Sequence, residues 1–392
     1  MNLIALFRRS TNSKSFIPEI DGLRFFSIAT VALYHLNTAY SRQIGIGLEG
    51  WGEQVGIDHI TQFGWWLIRM DLGVKVFFAI SGFILGLPFL KYYFGDGKKV
   101  AIGDYLYRRL TRLEPPFVIT LLGFYLVHVF LLGESAADLL PNFLTGLVYS
   151  HVFVFGLPNP INPVTWSLET EAQFYLVLPL LFFLLSKLRR PLLIFGAFLA
   201  LLLASAYFRS YSLDYGLLHL SSSVFAYFIN FGTGILFAYL YLKRPAFFAK
   251  TKTLGYDGLV MAAIVGMFVF YKPQALVYNN LLFNLSVLAF LVGTFRGKLA
   301  NWLFTRPFVY LVGGMCYTIY LIHYAFFYLV VGFTGGISLG QGYWLDYFVQ
   351  GVLIFPLLLV LSAAFFLLVE KPCMDKNWPS QLKHSLKTKL AG

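Results

Sequence analysis

Charge is scarce in this chain. Only 12% of its 392 residues are Asp, Glu, Lys or Arg, about half the ~25% of a soluble domain. A water-soluble surface of this length cannot be built from so few charges, which argues against soluble enzymes, nucleic-acid binders and disordered scaffolds. Cysteine is nearly absent. Cys316 lies inside an apolar segment and Cys373 just after the last one, so they supply neither a disulfide framework nor a metal-ligand spacing, and no metal is expected. The usual order of a cleaved signal peptide is also missing. In MNLIALFRRSTNSKSFIPEIDG the basic residues follow the short apolar start instead of preceding it, so this tail is expected to be retained.

What the chain has is apolar sequence: 58% hydrophobic residues and a mean hydropathy of +0.70. A spanning helix needs about 20 mainly apolar residues. Ten stretches qualify, at 17–40, 64–90, 113–132, 164–186, 191–208, 217–242, 255–271, 278–295, 308–332 and 346–369. The expected fold is therefore all-α, a polytopic membrane protein of about ten transmembrane helices. Residues 1–16 form an N-terminal tail, 17–371 the transmembrane domain and 372–392 a basic C-terminal tail. The apolar stretch 141–155 is short and reads as interfacial or re-entrant, with a full span as the alternative. Stretches 41–63, holding Trp51, and 133–163 are placed to cap a site on the outer side.

The basic residues test this topology. With the N-terminus inside, 24 of the 30 Lys and Arg fall in inner loops and tails. Only Arg42, Arg69, Arg209 and Lys272 lie outside or at the outer rim, while Arg24 and Lys75 fall within spans. This is the positive-inside distribution. It puts both termini in the cytoplasm and accounts for the net charge of +12 without a nucleic-acid partner.

Charged groups inside a bilayer are costly and mark function. Arg24 and His35, eleven residues apart, fall on one stripe of the first span, separated by about 16 Å along its axis. A neutral imidazole there is a natural general base for a hydroxyl; the plainer reading has Arg24 snorkelling to headgroups and His35 bonding a neighbour's backbone. Glu171, five residues into its span, sits at a depth similar to His35. It could orient the imidazole, bind acceptor hydroxyls or pair with Lys75, and the sequence leaves these open. Glu169 reads as a rim charge in water. Arg108, Arg109 and Arg112 cluster at the inner end of the third span, where they serve the positive-inside pattern or grip phosphate bidentately. Ser81-Gly82 reads as a close helix contact. Trp166, Phe174, Tyr175 and Tyr317 read as belt or core residues, with sugar stacking open to Trp166. His323 is a site candidate or an intrahelical histidine. His128, His151, His219 and Asn230 read as structural.

Taken in order, these segments resemble the membrane acyltransferase-3 family of bacterial enzymes that O-acylate carbohydrates and other hydroxyl compounds. IDGLRFF…YH is similar to its Arg-x10-His signature. Gly73-Val74 with FFAISGF resembles its second span, and Arg109-Leu-Thr-Arg112 its Arg-x-x-Arg element. TWSLETEAQFY (Thr165 to Tyr175), YTIYLIH (Tyr317 to His323) and Glu370-Lys371-Pro372 resemble three later motifs. The resemblance runs from residue 17 to 372. The chain departs from it at Glu169, where a small residue is common, and at Lys371, which replaces an Arg. Lys75 occupies a variable position. It resembles the stand-alone form without a fused hydrolase-like domain.

The resemblance implies acyl transfer, acetyl first of all, from acyl-CoA to a hydroxyl of a carbohydrate or lipid-linked glycan at a bacterial inner membrane. His35 would be the base and Glu171 its catalytic companion. Arg24, Arg108, Arg109, Arg112, Lys75, Trp166 and His323 would bind donor or acceptor. Acyl-CoA is then a substrate, with no permanently bound cofactor. The competing readings are a secondary transporter or flippase for a lipid-linked sugar, and a non-catalytic subunit that relays acyl groups. Acceptor identity, acyl length and oligomeric state are not encoded in any motif.

Overall fold

The structure is a computed structural model that describes residues 3–9, 16–46, 63–272, 276–340, 342–375 and 377–381. Trp51, Lys14 and the tail from 382 onward lie outside the described residues. Among the described residues every regular element is helical. After a short helix α1 (Leu3–Phe7) come α2 (Pro18–Gln43), α3 (Gly73–Phe94), α4 (Ile102–Phe130), α5 (Ala136–Leu147) and α6 (His151–Phe155). They are followed by α7 (Trp166–Ser186), α8 (Pro191–Asp214), α9 (Val224–Lys243), α10 (Leu254–Phe270) and α11 (Val277–Arg296). The chain ends with α12 (Lys298–Phe304), α13 (Pro307–Gly314), α14 (Cys316–Thr334) and α15 (Tyr343–Phe365).

Among the described residues eight helical stretches are long and apolar enough to cross a membrane, which makes this an all-α integral membrane protein. The two remaining expected spans are also helices. Leu254–Phe270 is apolar but has 17 residues, and the 26-residue α2 carries Glu19, Asp21, Arg24 and Arg42. Lys371 donates to the carbonyls of Ala5 and Leu6, so the segment after the last long helix packs against the first short one.

Three boundaries differ from the hydropathy reading, each for a local reason. α4 starts at Ile102, not 113; its first three turns are polar and invisible to a hydropathy window, yet they place Arg108, Arg109 and Arg112 inside a helix. The stretch 308–332 is broken at Met315 into α13 and α14. Gly313 lies so close to α2 that a Cβ there would sit 1.7 Å from the Asp21 carbonyl oxygen. The stretch 64–90 is interrupted by a single tight turn at Met70–Leu72 before α3.

Residues 136–155 form a hairpin that packs alongside α4. The Tyr125 hydroxyl donates to Ala136 O at 2.9 Å, and two turns deeper Tyr149 stacks on Phe117 with ring centroids 5.1 Å apart. The reversal falls at Tyr149, whose φ of 54° is a conformation side chains rarely adopt. Glu169 anchors this hairpin. It is 3% exposed, and its Oε2 accepts the Val152 N–H at 3.0 Å, so it is no rim charge.

Two apolar cores fill the bundle. One gathers α3, α7, α9 and α11 around Phe78, Phe174 and Phe231; the other gathers α2, α4, α14 and α15 around Phe117, Phe327 and Phe366. At the margin of the first core, Asp257 of α10 caps α12 by accepting the N–H groups of Lys298, Leu299 and Ala300 at 3.0, 3.1 and 2.8 Å. Replacing it with alanine leaves three first-turn donors unpaired. Asp257→Ala is expected to cost about 1–2 kcal/mol, read as a lower apparent Tm in detergent; an unchanged Tm would count against the cap.

Candidate active site at the seam of the two cores

The polar residues converge where the two cores meet. One cavity is bordered by Arg9, Arg24, Arg109, Arg112, Glu171 and Glu370. A second, with Ser27, Val31, Ser167, Leu168, Glu171 and Tyr320 in its wall, adjoins it. Phe77, Glu171, Cys316 and Tyr317 border both, so the two form one track along the seam.

Helix α2 supplies a stripe to this track. Arg24 faces the first cavity, Ser27, Ile28 and Val31 the second, and His35 follows one turn beyond Val31. The period of an α-helix alone puts these residues on one face. On α14, Cys316, Tyr317 and Tyr320 line the same track, and His323 follows one turn on. The rings of His35 and His323 meet with centroids 5.2 Å apart, and Tyr324 closes on His35 at the same separation.

At the basic end the electrostatics are unbalanced. Asp21 serves two guanidinium groups, with Oδ1 at 2.6 Å from Arg24 Nη1 and 3.5 Å from Arg9 Nη1. Neither Arg109 nor Arg112 has a carboxylate at ion-pair distance among the described residues, and the Nε of Arg9, Arg109 and Arg112 are buried without a hydrogen-bond partner. Arg109 and Arg112 are three apart on α4 and share a face. Glu370 uses Oε2 on the backbone N–H and hydroxyl of Thr318, at 3.2 and 2.6 Å, and its Oε1 is unpaired. Several donors thus converge on one small space without partners there, an arrangement suited to an anion with many oxygens.

Glu171 faces the track but bonds neither His35 nor Lys75. Its Oε1 accepts the Ser81 hydroxyl at 2.7 Å. Lys75 is on a different face of α3, its ammonium 4.0 Å from the centroid of Tyr271 and 5.2 Å from that of Phe283, and it borders neither cavity. Trp166 packs against Tyr227 and Phe78, with centroids 5.4 and 6.3 Å away. Arg108 is exposed. Arg24, Arg109, Arg112 and Glu171 are therefore brought together, His35 and His323 meet at the far end, and Lys75, Trp166 and Arg108 stand apart. His323 makes the intrahelical bonds of a structural histidine, with Nδ1 at 3.0 Å from Ile319 O and 2.9 Å from Tyr320 O.

The cavity residues Arg9, Ser81, Tyr175 and Glu370, and Asp21, which pairs with Arg9 and Arg24, escaped the reading of the sequence as site residues. Arg9 was indistinguishable from a topology signal. Asp21 and Glu370 are charges at helix ends that lie in recognisable motifs, which was the available signal.

Comparison with known proteins identifies the family. Residues 17–369 match the acyltransferase-3 family model, described as an acyltransferase domain. The peptidoglycan O-acetyltransferase OatA of Listeria monocytogenes is 26% identical over 211 residues, 51% of this chain and 29% of that protein. The O-acetyltransferase OatA of Staphylococcus aureus is 25% identical over 187 residues, 45% of this chain and 26% of that protein. The chain thus spans little more than a quarter of the length of either relative. No solved structure matches. With the family model covering nearly the whole chain, this integral membrane protein belongs to the acyltransferase-3 family.

Proposed function

We propose that the protein transfers an acyl group, acetyl in the first instance, from acyl-CoA to a hydroxyl of an envelope carbohydrate or glycolipid. The observation that carries this reading is the track that runs from the guanidinium cluster past Glu171 to Val31 and Tyr320, with His35 and His323 one helical turn beyond. By the positive-inside rule the basic end faces the cytoplasm, the side from which acyl-CoA arrives. Arg109 and Arg112, with Arg24 beside them, hold the donor's phosphates, and the thioester arm extends past Phe77 and Tyr317. The carbohydrate acceptor enters from the opposite side and reaches Glu171, which borders both cavities and accepts from one of its hydroxyls. Two relatives named as O-acetyltransferases, one of them of peptidoglycan, support a glycan acceptor.

In the chemical step His35 takes the proton of the acceptor hydroxyl as its oxygen attacks the thioester carbonyl carbon. The carbon–sulfur bond breaks, the thiolate leaves, and the imidazolium returns the proton to it. The products are an ester and free CoA. Purified protein incubated with labelled acetyl-CoA and a glycan acceptor tests the reaction without any partner protein. A charge-assisted contact is worth about 1.5–3 kcal/mol, so Arg109→Ala and Arg112→Ala are each expected to weaken acetyl-CoA binding by about 10- to 100-fold. Unchanged affinity in both, or proton-coupled uptake of a lipid-linked sugar without acyl turnover, would overturn the proposal.

A further inference from the structure

His323 Nδ1 lies within hydrogen-bond distance of two carbonyl oxygens of its own helix. Carbonyl oxygens only accept, so this nitrogen carries the proton, and in the neutral ring Nε2 is left as a bare lone pair. The side chain is fully buried, and Nε2 is buried without a partner. Facing it is His35, whose Nδ1 is likewise buried and unpartnered. An unpaired buried polar nitrogen is costly, and here two of them belong to rings in contact.

The two deficits answer each other. The centroids are 5.2 Å apart and the planes at 50°, a separation at which a nitrogen of one ring can reach hydrogen-bond distance of a nitrogen of the other when the rings turn toward each other. Catalytic hydrogen bonds of unliganded sites are commonly long and tighten with substrate. Glu171, the carboxylate expected beside His35, is engaged with Ser81, and among the described residues no carboxylate is hydrogen-bonded to His35 to do the orienting task of a catalytic triad.

We propose that His323 is a positioning residue for His35. Its Nε2, fixed as an acceptor by the Ile319 and Tyr320 carbonyls, receives the Nδ1–H of His35 and leaves His35 Nε2 as the basic nitrogen turned to the acceptor hydroxyl. The order is carbonyl, His323, His35, hydroxyl, and no net proton moves through it. His35 Nε2 alone gains and returns the proton during transfer. This inference rests on the acyl-transfer reading for its kinetic consequence, but the tautomers it requires do not depend on that reading.

The test therefore has two arms. In ¹⁵N-histidine NMR of the purified full-length protein, resonances assigned by single replacement are expected to show His35 and His323 both protonated at Nδ1. In His323→Phe, His35 is expected to revert to the Nε2–H form. Observing His35 as Nε2–H in the unaltered protein overturns the proposal whether or not any variant folds. In the kinetic arm, a wrong tautomer at a catalytic histidine costs up to about 10⁴-fold in kcat. His323→Phe is expected to lower kcat by about 100-fold or more with KM within about 2-fold. His323→Gln, whose amide oxygen can accept the same N–H, is expected to restore at least about a tenth of the rate. Equal loss in both variants would mean that packing alone is lost and overturns the inference. Absence of acetyl transfer by the unaltered protein would defeat the proposed function and leave the tautomer result to decide this one.

Discussion

Replacing His35 with alanine is expected to lower acyl transfer by about 10²- to 10⁴-fold, the usual contribution of a positioned general base, with little change in the amount of folded protein. The two halves of this expectation have separate grounds. His35 stands at the end of the α2 stripe that borders the track, one turn past Val31, where a hydroxyl entering from the side opposite the arginines meets it first. Its Nδ1 has no hydrogen-bond partner in the unliganded site, so truncation breaks no hydrogen bond already made there, and the costs are those of ring contacts with His323 and Tyr324. The measurement is labelled acetyl transferred per mole of purified variant, with monodispersity in detergent as the control. Full activity in His35→Ala would remove the base from the mechanism. A parallel loss of folded protein would assign the ring to packing.

The α2 stripe was legible because it depends on one helix only. Eleven residues at about 100° each bring Arg24 and His35 to one face whatever else the bundle does. Helix existence was legible for the same reason, since each stretch of about 20 apolar residues answers to the bilayer and not to a neighbour. Rotation of one helix against another was not legible. Lys75 and Ser81 are on the same helix, yet Ser81 turns to Glu171 and Lys75 to the rings of Tyr271 and Phe283. Nothing in the spacing of α3 says which face meets α7 and which meets α10 and α11. Glu169 failed differently. Its burial depends on the hairpin 136–155 folding back to present the Val152 N–H, a return set by Tyr149 at positive φ and not by any hydrophobic period. The start of α4 was missed because its first turns lie before the apolar run, so that the arginines were placed at a helix end when they ride on its side.

The largest structural effect is expected where α3 crosses α9. A Cβ on Gly82 would stand 1.9 Å from the Phe231 carbonyl oxygen, and one on Gly234 would stand 1.8 Å from that of Ala79. Real Cβ contacts essentially never fall below 3.0 Å. The obstacle in each case is helix backbone, which cannot rotate away as a side chain can. The helices must separate by roughly 1 Å, opening the stack of Phe78, Phe231 and Phe174, whose successive centroids are 4.6 and 4.0 Å apart. Small residues are what permit such close approach in a membrane protein. Gly82→Ala and Gly234→Ala are each expected to cost about 3 kcal/mol, the upper end for overpacking. The double variant should cost less than the sum, because the first separation makes room for the second methyl. Ser81 precedes Gly82, so the same displacement draws its hydroxyl from Glu171 and acyl transfer should fall with stability. Gly196→Ala on α8 and Gly258→Ala on α10, where a Cβ would meet nothing within 4 Å, are the controls and should be neutral or stabilising by up to about 1 kcal/mol. Apparent Tm in detergent separates the two pairs. Equal Tm values for the crossing and control variants would show that the α3–α9 contact tolerates separation and that glycine there is not what closes the seam.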